Sequence, residues 1–434
     1  MGEEQHSQRI KPLLEKPATV LKAPGPKSFS FGSPSIEVLS AGRVVVSVDQ
    51  SGPGAKTLIG KKYKDPLSRQ WSQTVVLTSG DQGSTWTPHN SVPMSRGCLV
   101  RDGHVLYLMG DTGALQIARS DDGGHTWSRL SELKASGNLR AGQFQAPAGA
   151  LCASGELHLA SMISLEGTAR REAGAALSVV MLHAPCGENL TRSNSWAFSE
   201  ASPTFRDLVP QEQLDFLGLP FFDVPNANRA EAVAPGRWAQ RLGWGHAHLV
   251  KIHDPRHAWH DPSGKTIHLL APLPGHRSNI AALAKVVRDD EGGITFSLER
   301  TPAGKTWAFL PLPGGHLDFD ILFDEPSGLY WLASNQVRDS MLRPDQLPKR
   351  RYGLPADETR RLQLHFSSNL VDWCYAGMLD AAEGPGETRS HCRMAVRGKD
   401  LHMVYCASDA EAGSPRFPNL VQYGVVPDFR GLVY

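Results

Sequence analysis

No stretch of this 434-residue chain approaches the eighteen or so uninterrupted apolar residues that a membrane-spanning helix needs. No charge excess is present either. The 45 Lys and Arg stand against 44 Asp and Glu, which argues against a general nucleic-acid or membrane-surface binder. Cysteine is scarce: Cys98, Cys152, Cys186, Cys374, Cys392 and Cys406 show no CxxC spacing, and four lie in apolar, strand-like contexts. Free, buried, reduced thiols in a cytoplasmic protein are therefore expected. The opening MGEEQHSQRIKPLLEKP holds no apolar run fit to be a signal peptide and matches a myristoylation pattern only loosely. Glycine-rich phosphate loops and dinucleotide fingerprints are missing, since GPGAKT lacks the Walker spacing. No cofactor is expected. Long apolar helical patterns are few, whereas 42 Gly and 31 Pro supply many turns.

What the chain does have is repetition. Six segments share one plan, a run of small or apolar residues, a polar turn usually containing Gly, and a second β-rich run. They begin at Ser33, Arg96, Gln145, His246, His316 and Ser390. The turns SAG, RDG, ASG, PSG, PSG and RGK mark hairpins. Six hairpins in a row imply a structure grown by repetition rather than several unrelated domains.

A sharper repeat accompanies them. SGDQGSTW (Ser79 to Trp86) and SDDGGHTW (Ser120 to Trp127) both read Ser-x-Asp-x-Gly-x-Thr-Trp. Decayed versions end at Trp196, Phe296 and Trp373. The residue types suit turn-building: Ser and Asp bond backbone N–H groups, Gly supplies positive φ, and Trp packs on a neighbouring sheet. Asp81, Asp122, Trp86 and Trp127 are thus read as architecture. The octapeptides resemble the Asp-box, or bacterial neuraminidase repeat, of the sialidase superfamily. The C-terminal third, with PGGHLDFDILFDEPSGLYWLASNQ and VPDFRGLVY, is similar to bacterial exo-alpha-sialidase-like proteins. The resemblance implies an all-β fold: a six-bladed β-propeller of four-stranded antiparallel blades over residues 18–434, after a polar N-terminal tail, 1–17. Residues 18–23, ATVLKA, are expected to pair beside the strand around Leu420 to Val426 and hide an edge. Deleting 1–17 is expected to be nearly silent, and deleting 1–24 to destabilise the ring.

In a propeller, entries to first strands and exits from second strands crowd one face, so residues distant in sequence converge there. The entries offer Ser33, Arg96, Gln145, His246 or His248, His316, and Arg389 with His391. The exits offer Asp49, Asp111, Ser161, Glu166, His276, Arg277, Asn335 and Asp409. Such a ring suggests a solvated pocket with convergent charged groups. Guanidinium forks bind a substrate carboxylate well, and Arg96, Arg277 and Arg389 come from three copies. Asp49 is the leading acid/base candidate, with Asp111, Asp318 and His391 also placed in the catalytic set. Gln145, His246, His316, Asn335 and Tyr352 complete the substrate-binding candidates. Sialidases open the first inner strand with F/Y-R-I-P, whereas this chain has FGSPS; near the last inner strand, where they present a Tyr, it has Ser390 and His391. The histidines could ligate Zn²⁺, but no motif of fixed spacing supports a metal, and none is assigned. Basic insertions at 49–71 and 338–361 would roof the site.

These features favour an exo-acting, sialidase-like glycoside hydrolase for an anionic sugar or oligosaccharide. A polysaccharide lyase on the same fold, or a non-catalytic glycan-binding propeller, are the alternatives. Neither nucleic acid nor membrane is expected as a partner.

Overall fold

The computed structural model describes residues 11–65, 69–165, 176–209, 232–234, 237–238, 242–273, 279–301, 303–304, 306–338, 346, 358–384, 386–414 and 417–434. The fold is all-β, with six antiparallel blades in a propeller arrangement and few helices. Blade one is built on Ser30–Val38, Val44–Ser51, Trp71–Ser79 and Thr87–Val92. Blade two follows with Ser95–Asp102, Val105–Asp111, Leu115–Ser120 and Ser131–Glu132. In blade three the inner strand is interrupted: Gln143–Gln145 and Ala150–Ala153 both pair with Glu156–Ser164. Leu177–Pro185 and Ala197–Phe198 complete that blade. Blade four runs His248–Val250, Thr266–Ala271, Ile280–Arg288 and Ile294–Ser297, with Phe309–Pro311 also on its third strand. Blade five contains Asp320–Asp324, Leu329–Asn335, Arg361–Ser367 and Cys374–Ala381. Each of the six repeated hairpins of the sequence supplies the first two strands of one blade.

Blade six closes the ring. Its strands Thr388–Arg397, Asp400–Ser408 and Leu420–Val426 are joined by the N-terminal strand Ala18–Lys22, in the register Ala18↔Tyr423 to Lys22↔Leu420. The edge strand is thereby paired rather than left open. The preceding residues also dock. The Leu13 and Leu14 amides donate to Met378 and Leu379 carbonyls at 2.7 and 3.1 Å, and the Leu14 side chain is buried between blades five and six. That segment carries a packed leucine, so deleting 1–17 is expected to cost stability rather than to be silent.

Second strands are buried on both faces, as Val44 to Gln50 show. Alternation sends their side chains to opposite neighbours. Val44, Val46 and Val48 pack against blade six, whereas Val45 packs against blade two. The same pattern gives one apolar cluster at every blade junction among the described residues, including the junction of blades six and one. Burial thus runs around the ring without a break, and the hub is left to polar residues.

The two octapeptides form turns with the same hydrogen bonds at the hairpin-turn ends of the blades. Thr85 N and Oγ1 donate to the Asp81 carboxylate at 2.9 and 2.6 Å, and Gly83 N donates to Ser79 Oγ at 2.8 Å. Thr126 repeats this on Asp122 at 2.9 and 2.6 Å, and Gly124 on Ser120 at 2.9 Å. Trp86 and Trp127 Nε1 donate to the Gly83 and Gly124 carbonyls. These residues build turns, and Arg43 Nη1, from the first hairpin turn, donates to the Asp122 carbonyl.

A candidate active site at the axial mouth

A cavity of about 140 Å³ opens where the inner strands begin, and all six blades line it. Blade one supplies Ser33–Ser35, blade two Arg96–Cys98, blade three Ala146–Ala148, blade four His246, blade five Asp318, and blade six His391 and Arg393. Four of the sequence candidates thus meet: Arg96, His246, Asp318 and His391.

Backbone geometry aims three of the side chains that line the cavity. Ser33, Arg96 and His391 all have left-handed φ, at 46°, 54° and 53°. Each sits in a β-bulge of its inner strand, between Gly32 and Ser35, Ser95 and Cys98, and Ser390 and Arg393. A non-glycine residue there costs on the order of 1 kcal/mol or more, and a bulge redirects a side chain. Blades one, two and six therefore share one strained device at one mouth. Gly97 follows from the same geometry, because a Cβ there would lie 2.3 Å from Thr74 Cγ2.

The exit residues have a different task from the one expected. Asp49 accepts from Thr74 Oγ1 at 2.7 Å, from the Gly97 amide at 3.2 Å and from the Arg96 amide. Burial raises its pKa to about 6, against the lowering effect of those donors. It clamps the blade-two bulge from behind, with both oxygens occupied. Asp111 occupies the equivalent place in blade two, opposite Ser95 as Asp49 is opposite Gly32. It accepts the Ala146 amide of blade three at 2.9 Å and grips Arg96 Nε and Nη2 at 2.7 and 2.6 Å. Asn335 does likewise for blade six, donating to the Arg389 carbonyl at 2.6 Å. Buried backbone groups at blade junctions need partners, and these residues provide them. They stitch blade one to two, two to three and five to six.

Other expectations change too. The Arg389 guanidinium turns away from the mouth to Asp380 Oδ2 (2.6 Å) and the Thr388 carbonyl (2.8 Å). The arginine beside the cavity is instead Arg393, which forks onto Asp318 at 2.9 and 3.2 Å. Two bulge residues reverse the alternation between positions 389 and 393, so a plain two-residue period misassigns them. Aligning GSPS, SRGC and SHCR (from Gly32, Ser95 and Ser390) would have pointed to it. Gln145 belongs to the short outer part of the blade-three entry, where its carbonyl accepts from Ser161 Oγ at 2.6 Å. His316 is buried in the turn before blade five and does not line the cavity. Arg277, Tyr352, His276 and Glu166 lie outside the described residues. From the 49–71 insertion, Tyr63 comes near Arg96: burial and the Asp65 and Asp111 carboxylates push its hydroxyl up to about 12.

Charge at the mouth is arranged in a definite way. Burial would raise Asp318, but the Arg393 guanidinium holds it well below the usual carboxylate range, so it is an anion. His246 is lowered to about 4 by burial and by the positive charges of Arg96 and Arg393. Burial, partly offset by Asp318, lowers His391 as well. Neutral imidazoles therefore face one carboxylate and two guanidiniums. His248 does not join His246 as a chelating pair. It stacks on Phe319 at 5.0 Å with Nδ1 3.6 Å from Asp320. Among the described residues, no group of three or more His, Cys, Asp or Glu is poised around a metal position.

The His246 shift has a measurable consequence. Its folded pKa, about 4, lies below the ordinary 6.5. Between those values the unfolded chain binds a proton that the folded protein does not, so this group's contribution falls as pH drops from 6.5 towards 4. Urea unfolding of wild type and His246→Gln at pH 7 and pH 4.5 should show the stability difference moving in the variant's favour at the lower pH. A difference that does not move with pH would contradict a buried, neutral His246.

No protein-family model matches the sequence, and no curated protein matches it. Solved structures do share its architecture. The chain is similar to Trypanosoma rangeli sialidase in complex with 2,3-difluorosialic acid, with a TM-score of 0.53 at 12% identity over 96% of this chain. It spans 58% of the length of that sialidase chain. An α-L-arabinanase of Penicillium chrysogenum complexed with arabinobiose gives a TM-score of 0.50 at 13% identity, covering 96% of this chain and 99% of the arabinanase. A protein of unknown function from Dyadobacter fermentans gives 0.54 at 12% identity, with 95% and 98% covered. The class is therefore the six-bladed propeller of sialidase-like shape. At these identities the likeness is one of fold.

Proposed function

We propose that the axial mouth is a glycoside-hydrolase-type site for a small anionic sugar. The observation that carries this reading is Arg96, whose Nε and Nη2 are gripped by Asp111 while the residue lines the cavity. Such a guanidinium is fixed in orientation yet presents its Nη1 edge to a ligand carboxylate. Asp318 then serves as the anion that stabilises an oxocarbenium-like transition state. His391 beside it is the proton-transfer group, and His246 a neutral hydrogen-bonding contact. The insertion carrying Tyr63 would cover the Arg96 side. Sialidase and arabinanase structures on this fold support a carbohydrate ligand, and the octapeptide turns fit the Asp-box pattern.

The test is release of reducing sugar from a panel of acidic oligosaccharides. Arg96→Ala and Asp318→Asn are each expected to lower kcat/KM by about 100-fold or more. Asp49→Asn should act less on turnover than on stability, since its oxygens serve the bulge. Full activity in both of the first two variants would reject the site.

One observation favours a second reading. Asp318 is the one carboxylate lining the cavity among the described residues, whereas standard hydrolysis uses a carboxyl pair. A neutral His391 could instead remove the C5 proton of a uronic acid, as in a lyase. Absorbance of an unsaturated product, without added water in its mass, would establish that alternative. Binding without any product would establish a glycan-binding propeller.

A further inference from the structure

At the far end of blade three from the axial mouth, two thiols meet. Cys152 Sγ lies 3.6 Å from Cys186 Sγ. Contrary to the expectation of buried thiols, Cys152 is exposed and Cys186 only half-buried. Strand register brings them together. Cys152 pairs with Leu157 across the first hairpin, and Glu156 pairs with Pro185 of the third strand. The Cys186 amide then donates to the Gly155 carbonyl at 2.9 Å, fastening the chain that leaves the third strand to the hairpin tip. Ser154 and Gly155 turn that tip with φ of 54° and 77°, the tight two-residue geometry of a hairpin.

We propose that Cys152 and Cys186 are a reversible dithiol–disulfide couple, closed by exchange with a small-molecule disulfide. This inference does not depend on the function assigned to the axial mouth. Exposure makes Cys152 the first attacking thiol, while burial, with the neighbouring thiol, pushes Cys186 up to about 11 and makes it the poorer first nucleophile; its place 3.6 Å from Cys152 Sγ is what sets it to resolve. The Cys152 thiolate attacks one sulfur of the small disulfide, forming a mixed disulfide and expelling one thiolate. The Cys186 thiolate then attacks Cys152 Sγ, forming the protein disulfide and expelling the second thiolate. The two protein protons end on the two small thiols, so two protein thiols are oxidised and one small disulfide is reduced. Closure shortens the sulfur separation from contact distance to about 2.05 Å.

Position gives the couple a structural readout. Ser154 borders a cleft of about 370 Å³ between blades three and four, also lined by His158, His183 and Arg288. Lys251 Nζ, across that cleft, is 3.2 Å from Ser154 Oγ. Closing the disulfide ties the tip that carries Ser154 to the third strand. Three of the four remaining thiols, Cys98, Cys392 and Cys406, are buried, and burial pushes Cys98 up to about 12, whereas Cys374 is half-buried.

The experiment is a redox titration of the full chain in buffers of reduced and oxidised glutathione, with alkylation of free thiols and non-reducing peptide mapping. The expected result is joint loss of two thiols, in one cross-linked peptide pair holding Cys152 and Cys186, reversed by dithiothreitol. Cys186→Ser should stop at one glutathione retained on Cys152, because the resolving thiol is gone. Cys152→Ser should form no protein disulfide at the same ratios. A wild type that stops at a glutathione adduct, stays fully reduced under conditions that modify Cys152 in Cys186→Ser, or cross-links another pair would overturn the proposal.

Discussion

Replacing Arg393 with Met is expected to lower the free energy of unfolding by about 3–5 kcal/mol, the usual cost of removing one partner from a buried ion pair. Arg393 is 9% exposed and holds Asp318 by two hydrogen bonds, and it also donates to the Phe319 and Cys392 carbonyls. Without the guanidinium, Asp318 is left as an uncompensated anion in the hub, with the half-buried Asp320 close by. The loss comes from that stranded charge more than from the missing attraction, since a buried pair repays little of its own desolvation. Adding Asp318→Asn to Arg393→Met should therefore restore part of the stability. Urea unfolding of the wild type, both single variants and the double variant measures the coupling. An Arg393→Met protein within 0.5 kcal/mol of wild type, or a double variant no better than the single, would mean that the pair does not organise the mouth.

Truncation of the N-terminus is expected to act on the whole ring. Removing residues 1–24 deletes the outer strand of blade six and the buried side chains of Leu14, Val20 and Ala23. Large buried aliphatic chains contribute about 1.5–3 kcal/mol each, and the lost ladder bonds about 0.5–1.5 kcal/mol apiece. A loss of roughly 5–10 kcal/mol follows, comparable with the whole stability of many domains. Removing only 1–17 should cost about 2–4 kcal/mol through Leu13 and Leu14. Thermal melts and expression of soluble protein separate the two. Truncation of 1–24 that leaves the melt unchanged would show that ring closure does not need this strand.

The two cases show where sequence reasoning stops. Hairpins are local: a two-residue alternation around a Gly turn is written in about twenty consecutive positions. All six were legible, and so was the pairing of Ala18–Lys22 with the last blade. The octapeptide turns were legible for the same reason, since Asp81 and Asp122 bond atoms only a few residues away. Ring geometry brings Arg96, His246 and His391 together as blade entries, whereas the sequence marks Asp318 only as a catalytic candidate outside the entry and exit positions.

Side-chain direction at the strand tips was not legible. Arg389 and Arg393 differ by four positions, so strict alternation puts them on one face. The bulge at His391 breaks that count, and one arginine reaches the hub while the other turns to Asp380. Asp49 looked like an acid at an exit because nothing in its own blade reveals that the amides of Arg96 and Gly97 arrive behind it. Cys152 and Cys186 were read as two scattered thiols, and only the register of three strands brings their sulfurs to 3.6 Å.

The amino-acid order by itself determined the repeated hairpin, the turn chemistry and the number of blades, because each depends on short-range alternation and backbone preference. Tertiary structure decided which polar groups face the ligand space and which stitch one blade to the next. The reason is physical: a buried carboxylate goes where unpaired amides and guanidinium groups meet it, and those come from strands far away in the chain.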